Sequence, residues 1–358
     1  MLTLNIMTAA LSPGDAIGNY ILTSARLWRQ WGVHVNIYAD SVHPLYKRVA
    51  HPSRLYWPTG RAILWYHYSI YADNVAIARA STDWKVMDFH GITPPHLFAE
   101  QNPQLQLLCQ QGWDTLPTLA HNFAVCVVHS DATRQTLLEH SFAPDTIVKL
   151  PLCVDTFRLA GPTVPGLATP LAQLDYLLLV GRLVPQKDVL AAVDILAVIV
   201  QQRPSTHLIL VGSREAAPSY QQQLDQAIAE KGLTDHVLFA GQINETAVLA
   251  TLFQQAKFLL VTSEWESFCV PIVEAMYFGV PPLVHNIAPL PEIAGAAGIV
   301  IDKRQIAETA ATILTLWQDE AAYQQHVAAA RHRAAAFTDK ALAQALLRLM
   351  QEVKIYEP

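Results

Sequence analysis

Two glutamates, Glu266 and Glu274, bracket a short apolar stretch in the second half of the chain. A strand-like run, Phe258–Thr262, precedes them, and Pro271 favours the first turn of a helix, where its missing N–H is no loss. Glu266 is therefore expected in the loop before a helix, and Glu274 about one turn inside it. Free N–H groups at a helix start attract a phosphate or a sugar oxygen. The two oxygens of Glu274 suit a vicinal diol such as that of a ribose.

The alternative is that Glu266 only caps the helix and Glu274 faces solvent. The run 270–276 around Glu274 is otherwise apolar, which predicts burial. Because a buried carboxylate needs polar partners, we favour the binding site.

A second group of polar residues follows the strand-like run Tyr176–Val180. The strand ends at Gly181, the next loop carries Arg182 and Lys187, and a helix begins near Asp188. Two cations beside a helix start suit a diphosphate and the charge that grows on it as it leaves. Two solvated surface charges are the alternative, but ligands of open α/β sheets bind at this edge of the strands.

Together these segments resemble the donor motifs of family 4 retaining glycosyltransferases of the GT-B architecture (glycosyl transferases group 1). Seven residues separate Glu266 and Glu274, as in that family's two-glutamate motif. Segments 210–212, 237–241 and 279–281 also resemble that family, so the resemblance covers nearly the whole second half of the chain.

The resemblance implies roles for these residues. Arg182 and Lys187 would hold the donor diphosphate, Glu266 would bind the transferred sugar near its reacting face, and Glu274 would bind the ribose. The expected donor-binding set is completed by Ser267, Phe268, Cys269 and Val270. Of these, Phe268 and Cys269 would contribute backbone N–H groups. Ser267 and Cys269 depart from the family pattern, since glycine is frequent at both positions.

In the first half, a loop with Gly14, Asp15 and Gly18 follows the first strand-like run. The spacing of its glycines does not match G-x-G-x-x-G, so the dinucleotide fingerprint is missing. The loop either lets backbone approach a phosphate or acceptor closely, or is simply a tight turn into a helix. Residue types alone do not separate the two.

His67 and His90 also end strand-like runs. Their segments, His67-Tyr68-Ser69 and His90-Gly91-Ile92-Thr93-Pro94, resemble a subset of family 4 enzymes. The resemblance implies that His90 reaches the transferred sugar, so His90 and Glu266 form the expected catalytic pair. His67 is expected on the acceptor side.

No Asp-x-Asp metal motif occurs in the sequence. Arg182, Lys187 and helix-start N–H groups can take the place of a metal at the leaving diphosphate. We therefore expect no metal and no cofactor, the nucleotide sugar being a substrate. The resemblance implies retention of anomeric configuration by front-face substitution. The sequence identifies no carboxylate nucleophile for a double displacement.

Three other functions compete with this one. A nucleotide-sugar epimerase can share the architecture, but the two-glutamate motif counts against it. The missing fingerprint argues against an NAD-dependent dehydrogenase. A non-catalytic nucleotide-sugar binding subunit is the third, and slow donor hydrolysis without acceptor would separate an enzyme from it.

The elements that must position these residues alternate between short apolar runs and amphipathic helical patterns, which indicates doubly wound parallel sheets. The strand-like runs are Leu2–Met7, Val33–Tyr38, Ala62–His67, Lys85–His90, Phe123–His129, Tyr176–Val180, His207–Val211, Val237–Ala240, Phe258–Thr262 and Pro282–His285. The clearest helical patterns are Ile17–Trp31, Val189–Gln202, Tyr220–Lys231 and Thr246–Gln255.

The fold class expected is therefore α/β, with two Rossmann-like domains facing across a cleft. Residues 1–157 would form the acceptor-side domain, the Pro- and Gly-rich segment 158–173 a linker, and 174–339 the donor domain. The last helix, 340–358, would pack back on the first domain.

Composition limits the partners. The net charge of -6 on 358 residues gives no general attraction to nucleic acid. The four cysteines form no C-x-x-C pair, and we see neither a signal peptide nor a membrane span, so we expect a cytoplasmic protein. The expected acceptor is a saccharide or a lipid-linked saccharide. Contact with the inner face of the membrane, through the helix at Ile17–Trp31 with Arg26 and Arg29, stays open, as do the donor base and sugar.

Overall fold

A computed structural model describes residues 2–99, 101–154, 159–161, 163–215 and 217–352. The chain divides into two compact units. Unit 1 comprises Met1–Phe98, Pro103–Asp155 and Phe337–Pro358, and unit 2 comprises Ala99–Asn102 and Thr156–Ala336.

Unit 1 is built on a sheet in which seven strands are described, in the spatial order β3-β2-β1-β4-β5-β6-β7. All neighbouring pairs are parallel. The strands are β1 Thr3–Leu11, β2 His34–Val42, β3 His51–Pro52, β4 Ile63–Tyr68, β5 Trp84–Phe89, β6 Val125–Val128 and β7 Ile147–Lys149. The described helices of this unit are α1 Ala16–Gln30, α2 Asn74–Ala80, α3 Pro103–Thr115, α4 Asp131–Glu139 and the later α13 Asp339–Glu352.

Burial explains why these segments are strands. Every residue of β4 and β6 is buried, as expected for parallel strands covered on both faces. Helix α4 starts at a capping box in which Ser130 and Thr133 satisfy each other's backbone N–H groups.

Unit 2 is built on a second parallel sheet in the order β10-β9-β8-β11-β12-β13. Its strands are β8 Asp175–Val180, β9 Thr206–Val211, β10 Val237–Gly241, β11 Phe258–Val261, β12 Pro282–His285 and β13 Ile299–Ile301. Its described helices are α5 Pro165–Leu171, α6 Val189–Gln202, α7 Pro218–Glu230, α8 Thr246–Gln255, α9 Val270–Tyr277, α10 Leu290–Ala294, α11 Ile306–Gln318 and α12 Glu320–Ala334. Its core is a cluster of buried aliphatic side chains from α6, α7 and α11 against the sheet.

The α/β class with two Rossmann-like units is confirmed, and ten of the strands occur where apolar runs predicted them. The strands that the sequence did not reveal, β3, β7 and β13, have only two or three residues. Runs that short carry no hydrophobic pattern, and they pair only because a longer neighbour is already in place.

In the segment predicted as a linker, 158–173, the structure shows a short helix. Its residues 158 and 162 lie outside the described part of the chain, and α5 occupies half of the remainder. Helix α5 packs on α8, Leu171 is buried, and the N–H of Val164 donates to Thr251 Oγ1 at 3.0 Å. These contacts make the segment part of unit 2.

The last helix, α13, belongs to unit 1 and packs against α1. Arg26 of α1 pairs with Asp339 at 3.4 Å. Residues 353–358, included in the predicted helix, lie outside the described residues. None of the described helices combines the length and the apolar character that crossing a membrane would take.

Candidate active site

The loop between β11 and α9 carries Glu266, which is buried and accepts a hydrogen bond from Ser263 Oγ at 2.8 Å. Cys269 ends this loop in a left-handed conformation, with φ of 78°, and no side chain caps the helix there. The start of α9 therefore presents backbone N–H groups beside the loop, as the sequence predicted. Glu274 lies inside α9 and is buried among apolar neighbours.

Lys187 and Glu266 form a direct ion pair. Burial by itself lowers the pKa of Lys187, but the Glu266 carboxylate outweighs that effect and raises the pKa above its ordinary value. The ammonium thus stays charged at neutral pH. Because a lysine ammonium has three N–H donors, one bond to Glu266 leaves others for a second anion.

Gly181 makes room for this lysine. A side chain at Gly181, whose φ is 147°, would meet Lys187 Cε at 3.1 Å. The adjacent Gly212 is more restrictive, since a Cβ there would lie 1.8 Å from the carbonyl oxygen of Gly181. Two glycines at neighbouring strand ends therefore allow the loops to approach closely.

The structure brings together only part of the predicted donor set. Lys187, Thr262, Ser263, Glu266 and Cys269 line one small cavity. Arg182 is exposed, yet close enough for its charge to act on Lys187. Glu274 lies off that lining but near enough for its charge to act on Cys269. The roles predicted for Arg182, Ser267, Phe268, Val270 and Glu274 stay predictions.

A buried lysine that sequence reasoning missed, Lys303, holds together the loops after β8 and β11. Its ammonium bonds Asp188 at 2.5 Å, Glu264 at 2.5 Å and the carbonyl oxygen of Thr262 at 2.9 Å. Asp188 adjoins Lys187, and Glu264 lies two residues before Glu266. Lys303 follows the three-residue strand β13, so no periodic pattern marked its position.

In unit 1, the loop after β1 forms a tight turn. Gly14 has a φ of 75°, and Asp15 caps α1 by accepting the N–H of Gly18 at 2.7 Å. Gly18 is itself buried, with Asp15 Oδ2 3.3 Å from the place of a Cβ. The turn alternative from the sequence is therefore realised, and a ligand role for these residues stays a prediction.

His67 and His90, at the ends of β4 and β5, belong to a buried cluster around Asp88. Nδ1 of His67 lies 2.8 Å from Nε2 of His90, and that nitrogen lies 3.3 Å from Asp88 Oδ1. Trp65 Nε1 donates to Asp88 Oδ2 at 2.8 Å, and His129 Nε2 lies 2.8 Å from Oδ1. Asp88 lies in β5 and His90 directly follows that strand, so the two-residue spacing visible in the sequence places both side chains on one face.

His129 carries a proton on both ring nitrogens. Its Nδ1 lies 3.1 Å from the carbonyl oxygen of Leu150 and its Nε2 faces Asp88. Neither acceptor has a hydrogen to give, so both nitrogens must donate. His129 and Asp88 are therefore a buried ion pair.

The other two histidines are neutral. Burial lowers the pKa of His67 to about 4, although the charge of Asp88 opposes this. Burial likewise lowers the pKa of His90 well below its ordinary value. Burial would raise the pKa of Asp88, but the charge of His129 and its hydrogen bond to the carboxylate outweigh burial and lower the pKa.

Two ring nitrogens of this cluster have no hydrogen-bond partner among the described residues: His67 Nε2 and His90 Nδ1. Of the residues described, His67, Asp88 and His90 also have ligand atoms within 4.8 Å of one another, a set that could hold a cation. The unpartnered nitrogens of His67 and His90 are each able to bond a further group.

This cluster predicts a loss of stability in acid. The unfolded chain protonates His67 near pH 6.5, whereas the folded chain resists until about pH 4. In that window the unfolded state binds more protons, so the free energy of unfolding falls as the pH falls, by roughly 3 kcal/mol for this residue. Urea unfolding measured between about pH 6.5 and about pH 4 should show this decline in the free energy of unfolding. The free energy of unfolding of His67→Gln should fall less over the same pH range. The exposed His51→Gln is the control, and an equal slope in all three proteins would contradict the assignment.

Most of unit 2 matches the model of a known protein family. The profile of the family described as glycosyl transferases group 1 matches residues 172–333. O-antigen chain mannosyltransferase B of Escherichia coli is 27% identical over 200 residues, which are 53% of this chain and 51% of that protein. A GDP-mannose:cellobiosyl-diphosphopolyprenol alpha-mannosyltransferase of Xanthomonas oryzae is 29% identical over 209 residues, 58% of this chain and 53% of that protein. The matches thus span about half the length of these curated relatives.

A solved structure agrees over nearly the whole chain. HepE of Anabaena, in complex with UDP and glucose, superposes with a TM-score of 0.78 at 18% identity and covers 98% of this chain and 100% of that one. At that identity the likeness shows the fold, which is of the GT-B type. Residues 172–333, which carry the loops after β8 and β11 described above, are thus similar to the glycosyl transferases group 1 family.

Proposed function

We propose that this protein is a glycosyltransferase that moves a sugar from a nucleoside-diphosphate-sugar donor to a hydroxyl acceptor. The observation that carries the proposal is the Lys187–Glu266 ion pair beside the start of α9. It combines a cation and helix N–H groups for a diphosphate with a carboxylate for sugar hydroxyls. HepE, which shares the fold, binds UDP and glucose, and a relative is named for a GDP-mannose donor.

We propose further that the reaction retains anomeric configuration. Glu266 is engaged by Lys187 and Ser263 and is better placed to bind than to attack. The bond from the anomeric carbon to the phosphate oxygen would break while the bond to the acceptor oxygen forms on the same face. The acceptor proton would pass to the departing phosphate. His90, with its unpartnered Nδ1, would assist at the reacting sugar. An inverted product would contradict this mechanism.

The donor site is proposed to need no metal, since Lys187, Arg182 and the α9 backbone supply the positive charge. The acceptor is proposed to be a saccharide, either free or linked to a lipid. The relative from Xanthomonas oryzae is named for a diphosphopolyprenol-linked acceptor, which is the observation that favours the lipid-linked form.

A thermal-shift screen with UDP, GDP, ADP, dTDP and CDP, each with and without EDTA, tests the proposal. A ligand that binds only the folded protein raises its melting temperature. We expect one nucleoside diphosphate to raise it and EDTA to leave the shift unchanged. A shift that EDTA abolishes would contradict metal independence, and no shift with any nucleotide would contradict the donor site.

The same thermal-shift screen, repeated with the variant Glu274→Ala, tests the proposed contact between Glu274 and the ribose. We expect this variant to fold normally and to lose most of the nucleotide shift, because the carboxylate that bonds the diol is gone. Glu308→Ala, an exposed glutamate in α11 of the same unit, is the matched control. Equal shifts in both variants would refute the ribose role.

A further inference from the structure

One segment of unit 1 departs sharply from the acidic character of the chain. Between Asp40 and Asp73 the sequence has no acidic residue, although the whole chain has a net charge of -6. Residues 43–61, which we term the basic edge, contain four cations, all exposed: Lys47, Arg48, Arg54 and Arg61. The basic edge includes β3, the outermost described strand of the unit 1 sheet.

The basic edge also exposes large apolar side chains. Leu45 is 74% exposed, Val49 42%, Leu55 61% and Trp57 82%. These four make up half of the exposed large hydrophobic residues in the part of the chain that the structure describes. Such a concentration of apolar surface marks an interaction site rather than scattered surface residues.

Local structure holds these side chains outward. The N–H of Ala50 bonds the carbonyl oxygen of Tyr46 at 3.0 Å, which closes a helical turn and brings Leu45 and Val49 to one side. Leu55 and Trp57 flank the buried Tyr56, whose hydroxyl donates to Asp83 at 2.8 Å. Because Tyr56 points into the unit, its two neighbours point away from it.

Helix α1 was the candidate for membrane contact in the sequence, and its two cations make contacts within unit 1. Arg26 pairs with Asp339, and Arg29 donates to the carbonyl oxygen of Val35 at 3.1 Å. Trp28 is buried. Both arginines are thus engaged within unit 1, and contact of this helix with a membrane stays a prediction.

We propose that the basic edge binds the surface of an anionic phospholipid bilayer. Its cations match anionic headgroups, and its leucines and tryptophan match the boundary between headgroups and acyl chains. Nucleic acid would use the cations but has no counterpart for Leu45 and Leu55. Binding to the bilayer would bring the protein to a lipid-linked acceptor, and this purpose rests on the proposed function. The binding of the basic edge to the bilayer does not depend on that function.

Cosedimentation with vesicles tests the proposal without sugar transfer. We expect the full chain to bind vesicles made of equal parts phosphatidylcholine and phosphatidylglycerol, and to bind phosphatidylcholine alone far more weakly. The triple variant Lys47→Gln, Arg48→Gln, Arg54→Gln should bind the anionic vesicles about a hundredfold more weakly, since each cation near the surface contributes about a factor of five. High salt should weaken binding in the same direction.

A second variant isolates the apolar contribution. Leu55→Ser with Trp57→Ser should also weaken vesicle binding, whereas the control pair Leu238→Ser with Leu347→Ser, exposed elsewhere, should not. Equal binding to neutral and anionic vesicles, or equal loss in the control pair, would overturn the proposal. Binding to a DNA duplex in place of vesicles would assign the surface to nucleic acid instead. All variants should keep the nucleotide thermal shift. Because vesicle binding is measured separately from that shift, a failure of the bilayer proposal can be distinguished from a failure of the proposed function.

Discussion

Replacement of Lys187 by alanine is expected to lower kcat/KM for sugar transfer by about 10²- to 10³-fold. Removal of one positioned donor to developing negative charge has an effect of this size. The loss has a second component here, because Glu266 would be left buried without its cation. Steady-state kinetics with the donor identified by the thermal-shift screen would measure it.

The control for this experiment is Lys231→Ala. Lys231 also lies in unit 2 and also pairs with a carboxylate, that of Asp194 at 2.8 Å, but at the surface. We expect its kinetics to match those of the original protein, because exposed pairs contribute little. If Lys187→Ala folds and keeps full kcat/KM, the diphosphate role is wrong.

Replacement of Asp88 by alanine is expected to destabilise the protein by about 3–5 kcal/mol. Removing one partner of a buried ion pair leaves the other charge uncompensated, and here that charge is on His129. The Trp65 N–H would lose its acceptor as well. Urea unfolding gives the free energy, and the folded fraction can be assayed separately for nucleotide binding by unit 2.

Asp131→Ala provides the comparison for Asp88. Asp131 pairs with Lys149 at 2.7 Å, but both side chains are exposed, so we expect little change in the free energy of unfolding. The double variant Asp88→Ala, His129→Phe should recover part of the loss, since both charges are then gone. Equal stabilities of Asp88→Ala and Asp131→Ala would contradict a charged Asp88–His129 pair.

Local patterns in the sequence determined the elements of both units. Helices α6 and α8 begin and end where the apolar and polar residues predicted, at Val189–Gln202 and Thr246–Gln255. The position of Glu266 before a helix and Glu274 within it also followed from Pro271 and the preceding strand. These features depend on residues close together in the chain, so propensity and periodicity suffice to find them.

Contacts between distant residues were decided only by the tertiary structure. Lys303 reaches Asp188, Lys187 reaches Glu266, and His129 reaches Asp88 across long sequence separations. No local pattern specifies such pairs, because they form when parallel strands bring their carboxyl ends to one edge. The sequence therefore supplied the residue types of the donor loops. Packing decided which charges are buried and paired, which histidines are neutral, and which cations remain exposed on the basic edge.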